Sequence, residues 1–151
     1  MDTIKLMQEK NRLYLKLSDF LSDLEKHLYR YMSIFEIKDF YSFSSSEEKR
    51  DFYKNEYREL ASRIALPSRE ISAITSVLSS LIVEADGAMD DELSLSLNAL
   101  FTECMRFEKR LSEFNSQTSR ILSKEPISPG ALLDNAKKLD ISLRSLKSLL
   151  I

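Results

Sequence analysis

The chain contains one histidine and one cysteine, two residue types that often carry catalysis or bind metal ions. A di-iron carboxylate centre in a helical bundle needs paired Glu-x-x-His motifs, but the residue three before His27 is Leu24. Cys104 falls on an apolar position of a predicted helix, where a thiol packs as a small hydrophobic group. Neither residue therefore predicts a metal centre or a nucleophile.

Four acidic side chains lie near Gly87, and carboxylate oxygens are ligands for hard cations: Asp86, Asp90, Asp91 and Glu92. They lack the alternating ligand spacing of a calcium loop. A turn between two helices explains all of them, with Gly87 as the first residue after one helix and Asp90 as the N-cap of the next. We therefore expect a helix corner here and no bound metal.

Motifs for other chemistry are missing from the sequence. With 2 glycines, the chain cannot form a phosphate-binding loop of the P-loop or dinucleotide type. No serine stands in a Gly-x-Ser-x-Gly motif. The sequence thus predicts a protein that is not an enzyme and uses no cofactor.

The composition limits the fold and the partners. A length of 151 residues suits one domain, and 2 glycines and 3 prolines are too few for the turns of an all-β fold. A net charge of -2 gives no positive field to attract nucleic acid. No apolar run approaches the ~20 residues that a transmembrane helix needs, and the first residues do not resemble a secretion signal. We therefore expect a cytoplasmic protein.

Apolar side chains spaced three and four residues apart predict the helices. The first helix is predicted from Thr3 to about Tyr41, with an apolar stripe that starts at Met7 and Tyr14. No proline or glycine interrupts this segment, so it predicts one long helix.

The middle of the chain predicts a helix that is interrupted. Ser45 and Glu48 form a capping box, which predicts a helix start. Pro67 lacks an amide proton and is expected to end or bend this helix, and Ser68 offers a new cap.

Two more helices are predicted in the last third of the chain. Asp90 caps a helix whose apolar positions alternate by four and three residues from Leu93 to Ile121. Ser128 and Pro129 are a typical helix start, with a capping hydroxyl followed by proline at the first helical position.

These elements predict an all-α fold. Residues 1–125 are expected to form an elongated antiparallel bundle of three long rods, the middle one bent at Pro67. Residues 126–151 are expected to form a C-terminal amphipathic helix that either packs on this bundle or detaches from it.

Aromatic residues are concentrated between the first two predicted helices. Phe40, Tyr41 and Phe43 lie in this connection, where no helical stripe requires them to be buried. They either close the end of the bundle or offer an exposed aromatic site to a partner protein.

The C-terminal helix has a leucine stripe and a positive local charge. Its leucines either complete the bundle or enter a groove of a partner protein, and binding to a membrane surface is a third alternative. The candidate partner-binding residues of this helix are Leu139, Leu143, Leu146 and Leu150.

Long antiparallel helices followed by an amphipathic C-terminal helix, in a small acidic chain, resemble the export chaperones of flagellar and type III secretion systems. The resemblance implies a non-catalytic protein that binds another protein, as a chaperone or adaptor. The alternative is a coiled-coil structural subunit, in which the apolar stripes of the first and fourth predicted helices pair with another chain in a homo- or hetero-oligomer.

Overall fold

The computed structural model describes residues 2–34 and 46–150, and these ranges contain four α-helices and no strand. The helices are α1 (Thr3–Ile34), α2 (Ser46–Gly87), α3 (Asp91–Leu122) and α4 (Pro129–Ser148). Consecutive helices pack antiparallel, and α4 also packs against α1. The helices α1 and α3 therefore lie diagonally opposite each other, with α2 on one side and α4 on the other. This arrangement confirms an all-α antiparallel bundle and makes the C-terminal helix its fourth member.

The apolar stripes of the four helices meet in one core. The α1 stripe begins at Leu6 and Leu13, so the predicted start at Met7 and Tyr14 is wrong by one residue. Leucine can be buried entirely, whereas Tyr14 lies half-buried at the edge of the core. At the end of α3 the predicted stripe position Ile121 is half-buried, and the buried residue is its neighbour Leu122.

The second helix continues through Pro67, so of the two predicted alternatives, an end or a bend at Pro67, the end and the new start at Ser68 are wrong. The buried positions of α2 keep their alternating spacing across the proline, which is itself buried. Packing of the stripe on both sides of Pro67 therefore compensates for the backbone hydrogen bond that proline cannot make, a loss of about 3 kcal/mol. The stripe around the proline consists of Leu60, Ile64, Pro67, Ile71 and Ile74.

The corner between α2 and α3 differs from the prediction in one residue. Gly87 still belongs to α2, and the residue in the left-handed conformation is Met89, with φ 58°. The amide of Met89 donates to the carbonyl of Asp86 at 3.1 Å, and that of Asp90 to the carbonyl of Ala85 at 3.2 Å, which is a Schellman motif. The left-handed residue directly precedes Asp90 because Asp90 must already cap α3.

The predicted starts of α3 and α4 are confirmed. The carboxylate of Asp90 accepts a hydrogen bond from the amide of Leu93 at 3.0 Å. The hydroxyl of Ser128 accepts one from the amide of Ala131 at 3.2 Å, and Pro129 is the first helical residue. Both caps satisfy amides that a helix end leaves without partners.

Candidate protein-binding groove between α1 and α3

The fourth helix lies in a groove between α1 and α3 and covers only part of it. Helix α4 has 20 residues, whereas α1 and α3 have 32 each, so α4 is shorter by about 18 Å at 1.5 Å per residue. Since α4 starts near the end of α3, it leaves the opposite end of the groove uncovered. We call residues 2–14 and 77–102 the three-helix end, and the part that contains α4 the four-helix half.

The leucine stripe of α4 fills the covered part of the groove. Three of the candidate partner-binding residues, Leu139, Leu143 and Leu146, are fully buried there, and Leu150 is half-buried. In this arrangement they are core residues, and they become available to another protein only when α4 leaves the groove.

A buried polar contact joins α4 to α3. The amide nitrogen of Asn135 donates to the hydroxyl of Thr118 at 2.9 Å and to the carbonyl of Phe114 at 3.1 Å. The Thr118 hydroxyl donates to the same carbonyl at 2.7 Å. A shift of α4 by one turn would leave these buried groups without partners, so the contact sets the register of α4. Sequence reasoning missed Asn135 because it lies beside the leucine stripe.

Towards its C-terminus α4 contacts α1 through charged groups. The Lys147 ammonium lies 3.2 Å from the Glu25 carboxylate, and the Arg144 guanidinium donates to the Tyr29 hydroxyl at 3.1 Å. Arg144 also pairs with Asp140 at 3.0 Å. The Asp140 side chain is nevertheless buried, and its Oδ1 has no hydrogen-bond partner among the described residues. The ion pair of Asp140 therefore lies within α4 and does not hold α4 to its neighbours.

The three-helix end contains the uncovered part of the groove. A depression of about 240 Å³ lies there between Met7 and Lys10 of α1 and Glu92, Leu93 and Ser96 of α3, and no residue of α4 lines it. The apolar side chain exposed in this depression is that of Met7, since Leu93 is buried, and the rest of the lining is charged or polar.

The boundary between the two regions is formed by Tyr14 and Cys104. The Lys10 ammonium lies 5.2 Å from the centre of the Tyr14 ring. Burial, and then the nearby Cys104, raise the pKa of Tyr14. Burial, and then Glu108 and Glu103, raise the pKa of Cys104 to about 12. The thiol is therefore neutral and inaccessible, which confirms its predicted packing role.

Two of the acidic residues considered for cation binding have structural contacts. The Asp86 carboxylate accepts a hydrogen bond from the Ser94 hydroxyl at 2.6 Å, and Asp90 caps α3. His27 is half-buried beside a cavity of about 20 Å³ between α1 and α2. Within residues 2–34 and 46–150, no group of three or more His, Cys, Asp or Glu side chains is arranged to hold a metal ion.

The predicted aromatic site at Phe40, Tyr41 and Phe43 lies outside the described residues. Next to it in sequence, Tyr31 and Tyr53 are buried in the core. The rings of Tyr31 and Tyr57 meet Phe114 edge-on, with centroid distances of 6.2 and 6.4 Å. These tyrosines close the four-helix half of the core.

Two wider grooves run along the outer side of α3 and α4, with volumes of about 690 and 470 Å³. The walls of the larger groove are mainly charged, whereas those of the smaller one also contain apolar side chains. Along these grooves Arg106 pairs with Glu103, and Arg110 pairs with Glu113. Such ion pairs are typical of a hydrated surface.

None of the described helices has a stretch long and apolar enough to span a bilayer. Comparison of the chain with protein-family models, curated proteins and solved structures finds no match.

Proposed function

We propose that this chain is a non-catalytic protein that binds another protein through its helices, as a cytoplasmic chaperone or adaptor of the secretion or flagellar-export kind. The observation that carries the proposal is the α1–α3 groove, which accommodates an amphipathic helix over part of its length and, among the described residues, has no helix over the rest. A groove of this kind recognises leucines at helical spacing.

The contacts of α4 support a helix that can be exchanged. Its leucine stripe and Asn135 stabilise docking, whereas the ion pair of Asp140 lies within α4 and adds nothing to docking. We expect that a client helix can compete with α4 for the same groove.

A coiled-coil structural subunit is the second candidate from the sequence. It requires the stripes of α1 and α3 to face another chain, but both stripes are buried within this chain. We therefore favour the binding protein.

The test is capture of a client from cell extract by the full chain, followed by sedimentation of the purified pair. A monomeric chain that binds one client with saturation is the expected result. An obligate oligomer that captures no client would contradict the proposal and favour the structural subunit.

The aromatic residues of the connection between α1 and α2 provide an independent prediction. Substitution of Phe40, Tyr41 and Phe43 by serine is expected to leave the helical circular dichroism signal unchanged and to abolish client capture. Unchanged capture would exclude these three residues from the binding site.

A further inference from the structure

Acidic and basic residues are unevenly distributed along the chain. From residue 70 to residue 105 there are seven acidic residues and no lysine, arginine or histidine. From residue 106 to residue 151 there are nine basic residues and five acidic ones. The acidic segment comprises the end of α2, the corner and the first half of α3. Its acidic residues are Glu70, Glu84, Asp86, Asp90, Asp91, Glu92 and Glu103.

The first turns of α1 reduce this negative charge only slightly. Between residues 2 and 14, α1 contributes three basic and two acidic side chains. Of these, Arg12 pairs with Glu9 at 2.9 Å, and Lys10 lies over the Tyr14 ring. The three-helix end as a whole is therefore negative.

Exposed apolar side chains are concentrated in the same region. The three-helix end holds about a quarter of the chain but six of the eleven large hydrophobic side chains that are exposed in the described residues. Met89, in the left-handed position of the corner, is 87% exposed, and Met7 borders the uncovered groove. Val77 and Val83 belong to α2, which lies on the opposite side of α1 and α3 from the groove, so the six side chains do not share one face. The six are Ile4, Met7, Val77, Val83, Met89 and Leu95.

The uncovered groove continues the interface that α4 already occupies. Both parts lie between α1 and α3, but the leucines of the three-helix end are buried without α4, so the apolar side chain that the uncovered part exposes is Met7. A second helix placed end to end with α4 would meet Met7 and carboxylates such as that of Glu92.

We propose that the three-helix end binds a basic amphipathic helix of a partner protein, which lies in the α1–α3 groove as a continuation of α4. This inference rests on the proposed function and specifies the partner. Negative charge at the rim favours lysine and arginine on the partner, and it disfavours nucleic acid and anionic membranes. The exposed side chain of Met7 favours apolar side chains at helical spacing on the face of the partner that meets the groove.

The test uses the full chain and a fluorescein-labelled helical peptide of leucine and lysine, with binding followed by anisotropy. The matched peptide of leucine and glutamate, a single-stranded oligonucleotide and phosphatidylglycerol vesicles are measured beside it. We expect the leucine–lysine helix to bind and the other three probes not to bind. Binding of any of those three at the three-helix end would overturn the proposal.

Matched charge reversals locate the site. Asp91→Lys with Glu92→Lys reverses two exposed residues in the first turn of α3, and Glu47→Lys with Glu48→Lys does the same in the first turn of α2. Both variants change the net charge by the same amount and place two lysines in the first turn of a helix. We expect the α3 variant to bind the leucine–lysine peptide about tenfold more weakly and the α2 variant to differ by less than about twofold. Equal losses of peptide affinity in both variants would show that the electrostatic attraction between the chain and the peptide is non-specific.

A second pair of variants tests the apolar contact. Met7→Ser with Met89→Ser is expected to weaken binding about fivefold or more, whereas Leu15→Ser with Leu66→Ser, also exposed, is expected to leave it unchanged. Equal effects of the two pairs would overturn the proposed site.

Capture of the native client separates this inference from the proposed function. A client that binds the wild type and the Asp91→Lys, Glu92→Lys variant equally well would overturn the inference and leave the function standing. Failure of the wild type to capture any client would contradict the function, whereas the peptide measurements decide the inference.

Discussion

The two ends of the bundle share one core but differ in what lies over it. In the four-helix half, helices are joined by specific polar contacts, such as Asn135 with Thr118 and Lys147 with Glu25. In the three-helix end, a hydrogen bond from the Ser94 hydroxyl to the Asp86 carboxylate joins α3 to α2 at the corner. The α1–α3 groove is uncovered in this region.

The difference shows that two kinds of sequence information act separately. The leucine stripe continues through both regions, and Leu97 is as deeply buried as Leu143. The stripe therefore decides which helix faces meet, whereas the length of α4 and a few polar side chains decide which part of the groove remains available.

The largest expected effect tests whether α4 is integral to the four-helix half. Leu143→Ala removes a fully buried side chain and is expected to lower the free energy of unfolding by about 3 kcal/mol. Leu93→Ala, in the three-helix end, is expected to lower it by about 1–2 kcal/mol, since Leu93 borders the open groove and water can enter the space. Urea unfolding measures both.

Ile141→Ala is the control for Leu143→Ala, because Ile141 lies on the same helix but is 66% exposed. It is expected to change the free energy of unfolding by less than about 0.5 kcal/mol. Equal losses for Leu143→Ala and Leu93→Ala would remove the distinction between the two regions.

Much of the fold could be predicted from the sequence because long periodic stripes leave few arrangements. Apart from their last positions, the stripes of α3 and α4 are found where the sequence predicts them, as are the caps at Asp90 and Ser128. At Pro67, local propensity predicts a break, but the buried stripe on both sides keeps one helix. Tertiary packing outweighs the local preference there.

The candidate site was less predictable, since its features depend on the relative positions of separate helices. Asn135 is an ordinary polar residue in the sequence, and its contact with Thr118 exists only once α4 lies on α3. The groove at Met7 likewise depends on how far α4 extends. The sequence signal that could have indicated the three-helix end is the absence of basic residues from residue 70 to residue 105.

The next effect tests the register contact in the four-helix half. Asn135→Ala removes two hydrogen bonds to α3 and is expected to lower the free energy of unfolding by about 1–2 kcal/mol. Amide hydrogen exchange in α4 should accelerate more than in α2, because α4 loses its specific contact. Asn98→Ala, which removes an exposed bond within α3, is expected to change stability by less than about 0.5 kcal/mol. Equal effects of the two substitutions would contradict a register role for Asn135.

A smaller effect arises at Cys104, where the two regions meet. The folded thiol has a pKa of about 12, whereas an exposed thiol ionises near pH 9. Between these values the unfolded chain binds fewer protons than the folded chain, so the free energy of unfolding falls as pH rises. From pH 8 to pH 10 we expect the wild type to lose about 1 kcal/mol more than Cys104→Ala, which has no thiol to ionise. Parallel pH dependence of the two proteins would show that the thiol is already exposed to solvent in the folded state.

The smallest effects separate stability from surface chemistry at the corner of the three-helix end. Gly87→Ala places a methyl group in a helix where nothing lies within 4 Å, and is expected to raise the free energy of unfolding by about 0.5–1 kcal/mol. Met89→Gly relieves a left-handed conformation and is expected to raise it by about 0.5 kcal/mol. Both variants should therefore unfold at higher urea concentration, but only Met89→Gly should bind the leucine–lysine peptide more weakly, because it removes an exposed apolar side chain. If both variants weakened peptide binding, rigidity of the corner rather than its apolar surface would control recognition.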